Sequence, residues 1–244
     1  MLGSSLERIE SLLAADDLVL DVGGWASPLP RADWVIDLRP HGTRGLYGGD
    51  RPTERFSAET WVVRDICGRE PWPFVDDQFD FAVCSHTLED VRDPIWVCAE
   101  LSRVAAAGYV EVPSRLAEQS YGVVGPMVGW SHHRWLVEVI EGGLEFMLKP
   151  HAIHARPELH FAGREGEMLI DDERFEAVFW EGELPARELI CDDAEDQDAE
   201  LAAFVARHRE RLQARIPPPP PLWRRLAWQL RHRKLSPPHG STWR

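Results

Sequence analysis

Residues 72–113 read WPFVDDQFDFAVCSHTLEDVRDPIWVCAELSRVAAAGYVEVP and contain the pattern that decides the fold. Two short apolar runs, Phe79–Cys84 and Tyr109–Val112, have the length and the β-branched or aromatic content of strands. Between them, Asp93-Pro94 can begin an amphipathic helix over residues 94–106. A helix that joins two neighbouring strands is the usual crossover of a parallel pair, so this stretch predicts a parallel sheet.

Three earlier apolar runs have the same character, namely Leu18–Val22, Trp34–Leu38 and Trp61–Ile66. Strands that are apolar almost throughout are typical of sheets covered on both faces. A short helix is predicted over residues 4–15, and a longer one over residues 195–216. We therefore predict the fold class α/β, with a Rossmann-like, mainly parallel, doubly wound sheet and a C-terminal helical extension. In such sheets the ligand lies beyond the carboxyl ends of the strands.

Polar residues stand at the carboxyl ends of the first three predicted strands. The first ends in Asp21-Val22-Gly23-Gly24, where a glycine turn can bring the backbone close to a ligand. The second ends in Asp37, whose carboxylate can accept both hydrogen bonds of a ribose diol. The third ends in Asp65-Ile66, where the carboxylate can accept from an adenine amino group while the apolar side chain packs on the ring. Acidic residues at three successive strand ends predict a ligand of nucleoside type.

The stretch resembles the class I methyltransferases that use S-adenosylmethionine, and it is most similar to the small-molecule, ubiquinone-biosynthesis-like branch. The resemblance covers residues 17–113 and is strongest in Pro73-Phe74, Phe79–Val83, the block Ser85-His86-Thr87-Leu88-Glu89-Asp90, and Arg103-Val104 to Gly108. It implies S-adenosyl-L-methionine as the cofactor. It also implies a role for each strand end: Asp21, Gly23 and Gly24 would line the methionine part, Asp37 the ribose, Asp65 and Ile66 the adenine, and Ser85 and His86 the floor near the methyl group.

The sequence departs from this family at several positions. Trp25 and Ser27 stand where the second and third glycines are usual, and residues 25–33 are too few for the usual full helix. Asp90 stands where histidine is common. These departures keep open a second hypothesis, a catalytically inactive methyltransferase-like binding or scaffold protein. A nicotinamide oxidoreductase, the remaining alternative, would need the third glycine that Ser27 replaces.

The acceptor side of the reaction is predicted from residues after the fourth and fifth strands. Cys-Ser-His-Thr at residues 84–87 stands where nitrogen-methylating enzymes have an Asn-Pro-Pro-aromatic type motif, which favours a small-molecule hydroxyl or carbon acceptor. His132 and His133 are the candidate catalytic residues, because an imidazole can take the proton that a hydroxyl loses. The alternative is that one of them packs on or caps a helix predicted at residues 131–140 while the other faces solvent.

Three further histidines, His151, His154 and His160, could join this pair around a metal ion. Their spacing fits no named zinc pattern and no cysteine accompanies them, so we predict no metal. Strands are predicted at Leu144–Leu148, as an extension of the sheet, and at Ala177–Trp180.

The composition restricts the partners and the compartment. The net charge is −14, which argues against nucleic acid as a partner because phosphate binding needs clustered basic residues. The four cysteines are widely spaced, as expected for free thiols in a reducing compartment. Neither a secretion signal nor a long apolar segment is recognisable, so we expect a cytoplasmic protein.

We expect three parts: an S-adenosylmethionine-binding methyltransferase domain at residues 1–150, an acidic α+β extension at residues 151–216, and a Pro-rich spacer with a basic amphipathic tail at residues 217–244. The tail contains Pro217–Pro221 and a predicted helix, Leu222–Arg233. Such a helix could lie on an anionic membrane surface, or it could dock on the acidic body of the chain or on a protein partner. The oligomeric state is not predicted by any of these patterns.

Overall fold

A computed structural model describes residues 1–46, 54–141 and 143–218 of the 244-residue chain. The strands are β1 (Val19–Val22), β2 (Trp34–Asp37), β3 (Trp61–Val63), β4 (Phe79–Ser85), β5 (Ala105–Pro113), β6 (Trp135–Ile140), β7 (Gly143–Leu148), β8 (Phe175–Glu181) and β9 (Ala186–Glu188). The helices are α1 (Gly3–Leu12), α2 (Pro94–Val104), α3 (Arg115–Glu118), α4 (Gly163–Gly166), α5 (Asp171–Arg174) and α6 (Ala194–Ala214).

Within the described residues, the central sheet has six strands in the order β3-β2-β1-β4-β5-β8. The first five are parallel, and β8 pairs with β5 in the antiparallel direction. Asp21 of β1 lies opposite Val35 of β2 and Val83 of β4. The strand order reverses between β1 and β4, which is the switch point where doubly wound sheets bind ligands. The structure confirms the predicted α/β class, with a mainly parallel sheet and a C-terminal helix.

The strands separate two apolar layers because successive side chains point to opposite faces of a sheet. One layer, with residues of α2, contains Leu20, Val22, Ile36, Ala82, Cys84, Val97 and Leu101. The other layer, with Ile9 of α1, contains Val19, Val35, Phe81, Val83 and Tyr109. By the same alternation, Asp21, Asp37 and Ser85 lie on the α1 face of the sheet, at the ends of three neighbouring strands.

The connections between strands differ in how they are built. Helix α2 joins β4 to β5, and the Asp93 side chain caps it by accepting a hydrogen bond from the Trp96 backbone N–H at 3.1 Å. Residues 23–33, between β1 and β2, form turns and bends without a helix. The Leu29 N–H donates to the Asp21 carboxylate at 2.7 Å, and the Val19 N–H donates to the Asp33 carboxylate at 2.9 Å. One buried carboxylate, Asp21, and one partly buried carboxylate, Asp33, therefore hold this connection where a helix would otherwise pack.

A second sheet, in the order β6-β7-β9, corrects two of the predictions. The predicted helix at residues 131–140 is wrong, since Trp135–Ile140 forms strand β6. Its sequence WLVEVI is rich in β-branched residues, which fit a pleated strand better than a helix. The strand predicted at Leu144–Leu148 is present as β7, but it forms a hairpin with β6 and does not extend the central sheet. That edge is occupied by β8, which confirms the strand predicted at Ala177–Trp180.

Helix α6 confirms the long helix predicted at residues 195–216. Its N-terminus is capped by Asp193, whose carboxylate accepts from the Glu195 and Asp196 backbone N–H groups, each at 2.9 Å. Phe204 and Val205 of α6 are buried against Phe161. The predicted tail helix, Leu222–Arg233, lies outside the described residues. Among the residues described, none of the helices combines the length and the apolar character needed to cross a bilayer.

Candidate functional site

The glycine turn after β1 packs tightly on the neighbouring strands. Gly23 has φ +77°, a conformation that side-chain-bearing residues rarely adopt, and its N–H donates to the Ile36 carbonyl at 2.9 Å. A Cβ at Gly23 would collide with the Thr87 side chain, and one at Gly24 would collide with the Asp21 carboxylate. Both glycines are therefore required by close packing at the carboxyl edge of β1 and β4.

The Asp21 side chain packs directly against this turn. Its side chain is buried, and the carboxylate accepts a hydrogen bond from the Leu29 N–H. Burial raises the pKa of Asp21 to about 7, the Leu29 hydrogen bond opposes this rise, and the nearby Asp37 carboxylate adds to it. Asp21 and Asp37 therefore lie close enough to interact, and Asp21 exchanges its proton near neutral pH.

Asp37 at the end of β2 is held by two backbone donors. The Trp25 N–H donates to Oδ2 at 3.0 Å and the Arg39 N–H donates to Oδ1 at 2.7 Å. Burial raises the pKa of Asp37, while these two hydrogen bonds lower it. Each carboxylate oxygen has two lone pairs, so each could accept a further hydrogen bond from a ligand.

The Trp25 side chain covers the loop that follows β2. The guanidinium of Arg39 lies 4.3 Å from the centre of the indole, and the indole N–H donates to the Thr43 carbonyl at 2.7 Å. Trp25 thus places an aromatic surface beside Asp37.

Asp65 and Ile66 follow β3 and differ in exposure. The Asp65 carboxylate is about half exposed; it pairs with the Arg92 guanidinium at 2.9 Å and accepts from the Cys67 N–H at 2.9 Å. The Ile66 side chain is buried in the α2-side layer. The Ile66 carbonyl accepts from the indole of the buried Trp72 at 3.0 Å.

Ser85 and His86 at the end of β4 lie beside a buried acidic group. His86 adopts φ +53°, and its Nε2 is 3.0 Å from Oε1 of Glu111. Burial would lower the pKa of His86, but hydrogen bonds to Glu111 and Glu89 raise it to about 9. Burial would likewise raise the pKa of Glu111, but donors that include His86 and Tyr109 lower it to about 2. The raised pKa of His86 favours the imidazolium form at neutral pH.

His132 and His133 lie together just before β6. The backbone N–H groups of Arg134 and Trp135 donate to the Glu89 carbonyl at 2.8 and 3.2 Å, which fixes this segment against the end of the β4 region. The two imidazoles are 4.5 Å apart between ring centres. His132 is exposed, whereas the His133 side chain is only 6% exposed and its Nδ1 is 2.6 Å from Oε1 of Glu118.

Glu118 belongs to a buried ionic group that the sequence-based prediction missed. Its second carboxylate oxygen pairs with the Lys149 ammonium at 2.7 Å, and both side chains are almost fully buried. Lys149 also donates to the carbonyls of Val128 and Trp130, each at 2.9 Å. One signal was available, since Lys149 is the first lysine in a chain whose other basic residues are almost all arginine. Glu111 was missed too, because an acidic residue inside an apolar strand has no local pattern.

The structure brings together some of the predicted site residues. Asp21, Gly23, Gly24 and Asp37 form one group, and the Thr87 hydroxyl, 3.5 Å from the Gly23 carbonyl, connects this group to the end of β4. His132 and His133 lie with Asp90 in a separate group. The other histidines have different neighbours: His154 accepts from the Val128 N–H at 3.1 Å, and His160 stacks on Tyr121.

The comparisons with known proteins are structural. No family model matches the chain, and no curated protein matches its sequence. The YcgJ protein from Bacillus subtilis is 19% identical, with a TM-score of 0.36, over 46% of this chain and 52% of that one. An S-adenosylmethionine-dependent methyltransferase from Mesorhizobium loti is 14% identical, with a TM-score of 0.34, over 59% of this chain and 62% of that one. An S-adenosylmethionine-dependent methyltransferase from Methanosarcina mazei is 21% identical, with a TM-score of 0.33, over 44% of this chain and 57% of that one.

The chain spans between about half and two thirds of the length of these solved structures. The neighbours named as enzymes are S-adenosylmethionine-dependent methyltransferases, and the likeness is one of fold. The fold assignment itself rests on the strand order and direction of the central sheet.

Proposed function

We propose that the protein is an S-adenosylmethionine-dependent methyltransferase that acts on a small-molecule hydroxyl or carbon acceptor. The observation that carries the proposal is the pair of neighbouring acidic strand ends, Asp21 and Asp37, beside a tightly packed glycine turn at the switch point of the sheet. A ligand with a ribose diol and a cationic centre matches this chemistry. The resemblance of residues 17–113 to class I methyltransferases supports the same cofactor.

The residues present fit S-adenosylmethionine in chemical kind. Asp37 keeps lone pairs for two ribose hydroxyls, and Asp65 offers a half-exposed carboxylate to an amino group. Asp21 is covered by Gly24, so its role in the proposal is to hold the turn that faces the methionine part. Ile66 is assigned to the adenine side, and Ser85 and His86 to the floor of the site.

The sulfonium cofactor supplies an electrophilic methyl group when it is bound, so the chain itself has to position the acceptor and remove a proton. His133 is suited to the second task, because Glu118 orients the ring through Nδ1 and Nε2, which faces Asp90, can accept a proton. His132 is exposed and can contact the acceptor. Trp130, whose ring stacks on His133 with centres 5.3 Å apart, gives this side of the site a flat apolar surface.

The proposal extends to the organisation and setting of the chain. Residues 1–150 form the methyltransferase domain, residues 151–216 an acidic extension and residues 217–244 the spacer and tail. The protein works in the cytoplasm on a small molecule and without nucleic acid, and the basic tail contacts a membrane surface or a protein.

Calorimetric titration with S-adenosylmethionine tests the cofactor. We expect micromolar binding by the wild-type protein and no binding of NAD. Asp37→Asn should weaken the affinity about 10- to 100-fold, because a hydrogen bond to a charged acceptor contributes about 1.5–3 kcal/mol. Asp80→Asn is the matched control, since Asp80 accepts the Leu18 N–H at the opposite end of the sheet. An unchanged affinity in Asp37→Asn, with folding verified by circular dichroism, would refute the proposed site.

A further inference from the structure

We propose that Asp90, His132 and His133 form a binding site for a divalent transition-metal ion, contrary to the expectation from the sequence. One ligand atom from each residue lies within 4.8 Å of the other two. The Asp90 Oδ1 and His133 Nε2 atoms are 3.9 Å apart. Ligands bound to one Zn²⁺ at about 2.0–2.2 Å are separated by roughly 3–3.5 Å. Asp90 and His132 are exposed, so a shift of about 1 Å in their side chains closes the remaining gap.

The third ligand is already oriented as a metal-binding histidine should be. Imidazoles that bind metals through one nitrogen usually donate the other N–H to a carboxylate, which fixes the tautomer and the direction of the ring. Nδ1 of His133 is 2.6 Å from the Glu118 carboxylate, so Nε2 is the nitrogen left for a metal, and it faces Asp90. The Lys149 ammonium holds Glu118 from the other side at 2.7 Å. Both Glu118 and Lys149 are almost completely buried, so this outer support is held away from solvent.

The backbone holds the ligands close together without the metal. Glu89, next to Asp90, accepts both the Arg134 and the Trp135 N–H groups, which follow His133 directly. The Asp90 N–H itself donates to the Thr87 carbonyl at 3.1 Å. Backbone hydrogen bonds therefore hold the two segments that carry the ligands next to each other before any ion binds.

The ligand set determines the class of ion and the kind of site. Two imidazole nitrogens and one carboxylate oxygen suit Zn²⁺ or Fe²⁺ better than Ca²⁺ or Mg²⁺, which prefer oxygen ligands. Three protein ligands leave at least one position for water or a substrate oxygen, as in catalytic metal sites. A hydroxyl coordinated there would release its proton to solvent more readily. The activation of a hydroxyl rests on the proposed function, because the metal would take over from His133 the task of activating the acceptor. The metal site itself does not rest on the proposed function.

Titration of the full chain, prepared without an affinity tag and treated with a chelator, tests the site. We expect one equivalent of Zn²⁺ to bind in a calorimeter. Asp90→Asn and His132→Gln should each weaken binding about tenfold or more. Both residues are exposed, so neither substitution should prevent folding. His151→Gln, an exposed histidine outside the cluster, is the matched control and should bind as the wild type does.

Absorption of the Co²⁺-loaded protein gives a second readout, since a visible band from a low-symmetry site should be lost in both ligand variants. Absence of Zn²⁺ binding, or equal affinity in wild type, Asp90→Asn and His132→Gln, would overturn the proposal. The same preparation titrated with S-adenosylmethionine separates the two hypotheses. Zn²⁺ binding without cofactor binding would support the metal site and refute the methyltransferase, and the reverse pattern would do the opposite.

Discussion

The buried carboxyl group of Asp21, beneath the glycine turn, makes the stability of the protein depend on pH. An acid whose pKa is higher in the folded than in the unfolded chain binds more protons when folded, so a rise in pH favours unfolding. The folded pKa is about 7 and the unfolded value is about 3.9. The contribution of Asp21 to stability therefore decreases as the pH rises through this window and is constant above it.

Asp21→Asn tests this directly, because asparagine keeps an oxygen that can accept from the Leu29 N–H but has no proton to lose. We expect the free energy of unfolding of the variant, relative to wild type, to increase from about pH 4 to about pH 7 and then to level off. Urea denaturation at a series of pH values measures it. A difference that does not vary with pH would show that folding does not raise the pKa of Asp21.

The sequence predicted the positions of these acidic residues in the fold better than it predicted their hydrogen-bond partners. Asp37 and Asp21 lie at neighbouring strand ends as expected, because each stands at the end of an apolar run whose own residues predict a strand. Their capture by the N–H groups of Trp25, Arg39 and Leu29 could not be predicted, since it depends on the path of a loop with no periodic pattern.

Among the elements, α2 matters most for the candidate site, because it starts directly after the segment that carries Asp90. Its N-terminus depends on Asp93, which accepts from the Trp96 N–H. Asp93→Ala should lower the free energy of unfolding by about 1 kcal/mol, the usual cost of losing a cap. Asp93→Asn should cost only a few tenths of that, because asparagine caps equally well. Equal losses in the two variants would instead assign the effect to the ion pair of Asp93 with Arg69.

The elements also show where local patterns fail. Strands β1, β2 and β4 are buried on both faces, so their own residues identify them. Strand β6 belongs to the separate three-stranded sheet, where β7 pairs with it along its whole length. A six-residue apolar segment without a visible partner is compatible with either a helix or a strand, which is why the helix predicted at residues 131–140 was wrong.

In the molecule as a whole, the Lys149–Glu118 pair connects the end of β7 to α3 and to the segment that leads to β6. Removal of one member of a buried pair leaves the other charge without compensation, at a cost of about 3–5 kcal/mol. We expect Lys149→Met to destabilise the protein by that amount in urea denaturation. Lys149→Met combined with Glu118→Gln should recover part of the loss.

Arg187→Met provides the comparison for this prediction. Arg187 of β9 pairs with Glu145 of β7 in the second sheet, but the Arg187 side chain is largely exposed. Its loss should therefore lower the free energy of unfolding by about 1 kcal/mol or less. If Lys149→Met costs no more than Arg187→Met, the buried pair does not hold these segments together. The sequence could not predict this pair, because its members are separated by thirty-one residues and neither belongs to a motif.

The helix-free connection between β1 and β2 bears on the charge of the ligand expected at the proposed site. Dinucleotide sites place a pyrophosphate at the start of a helix, where the partial positive charge of the backbone attracts it. Residues 23–33 provide no such helix start, and the turn instead rests on two carboxyl groups. Anionic nucleotides would meet repulsion there, whereas a ligand that carries a positive centre next to a sugar would be drawn in. Under the proposed function, this connection would favour a cationic ligand over an anionic nucleotide.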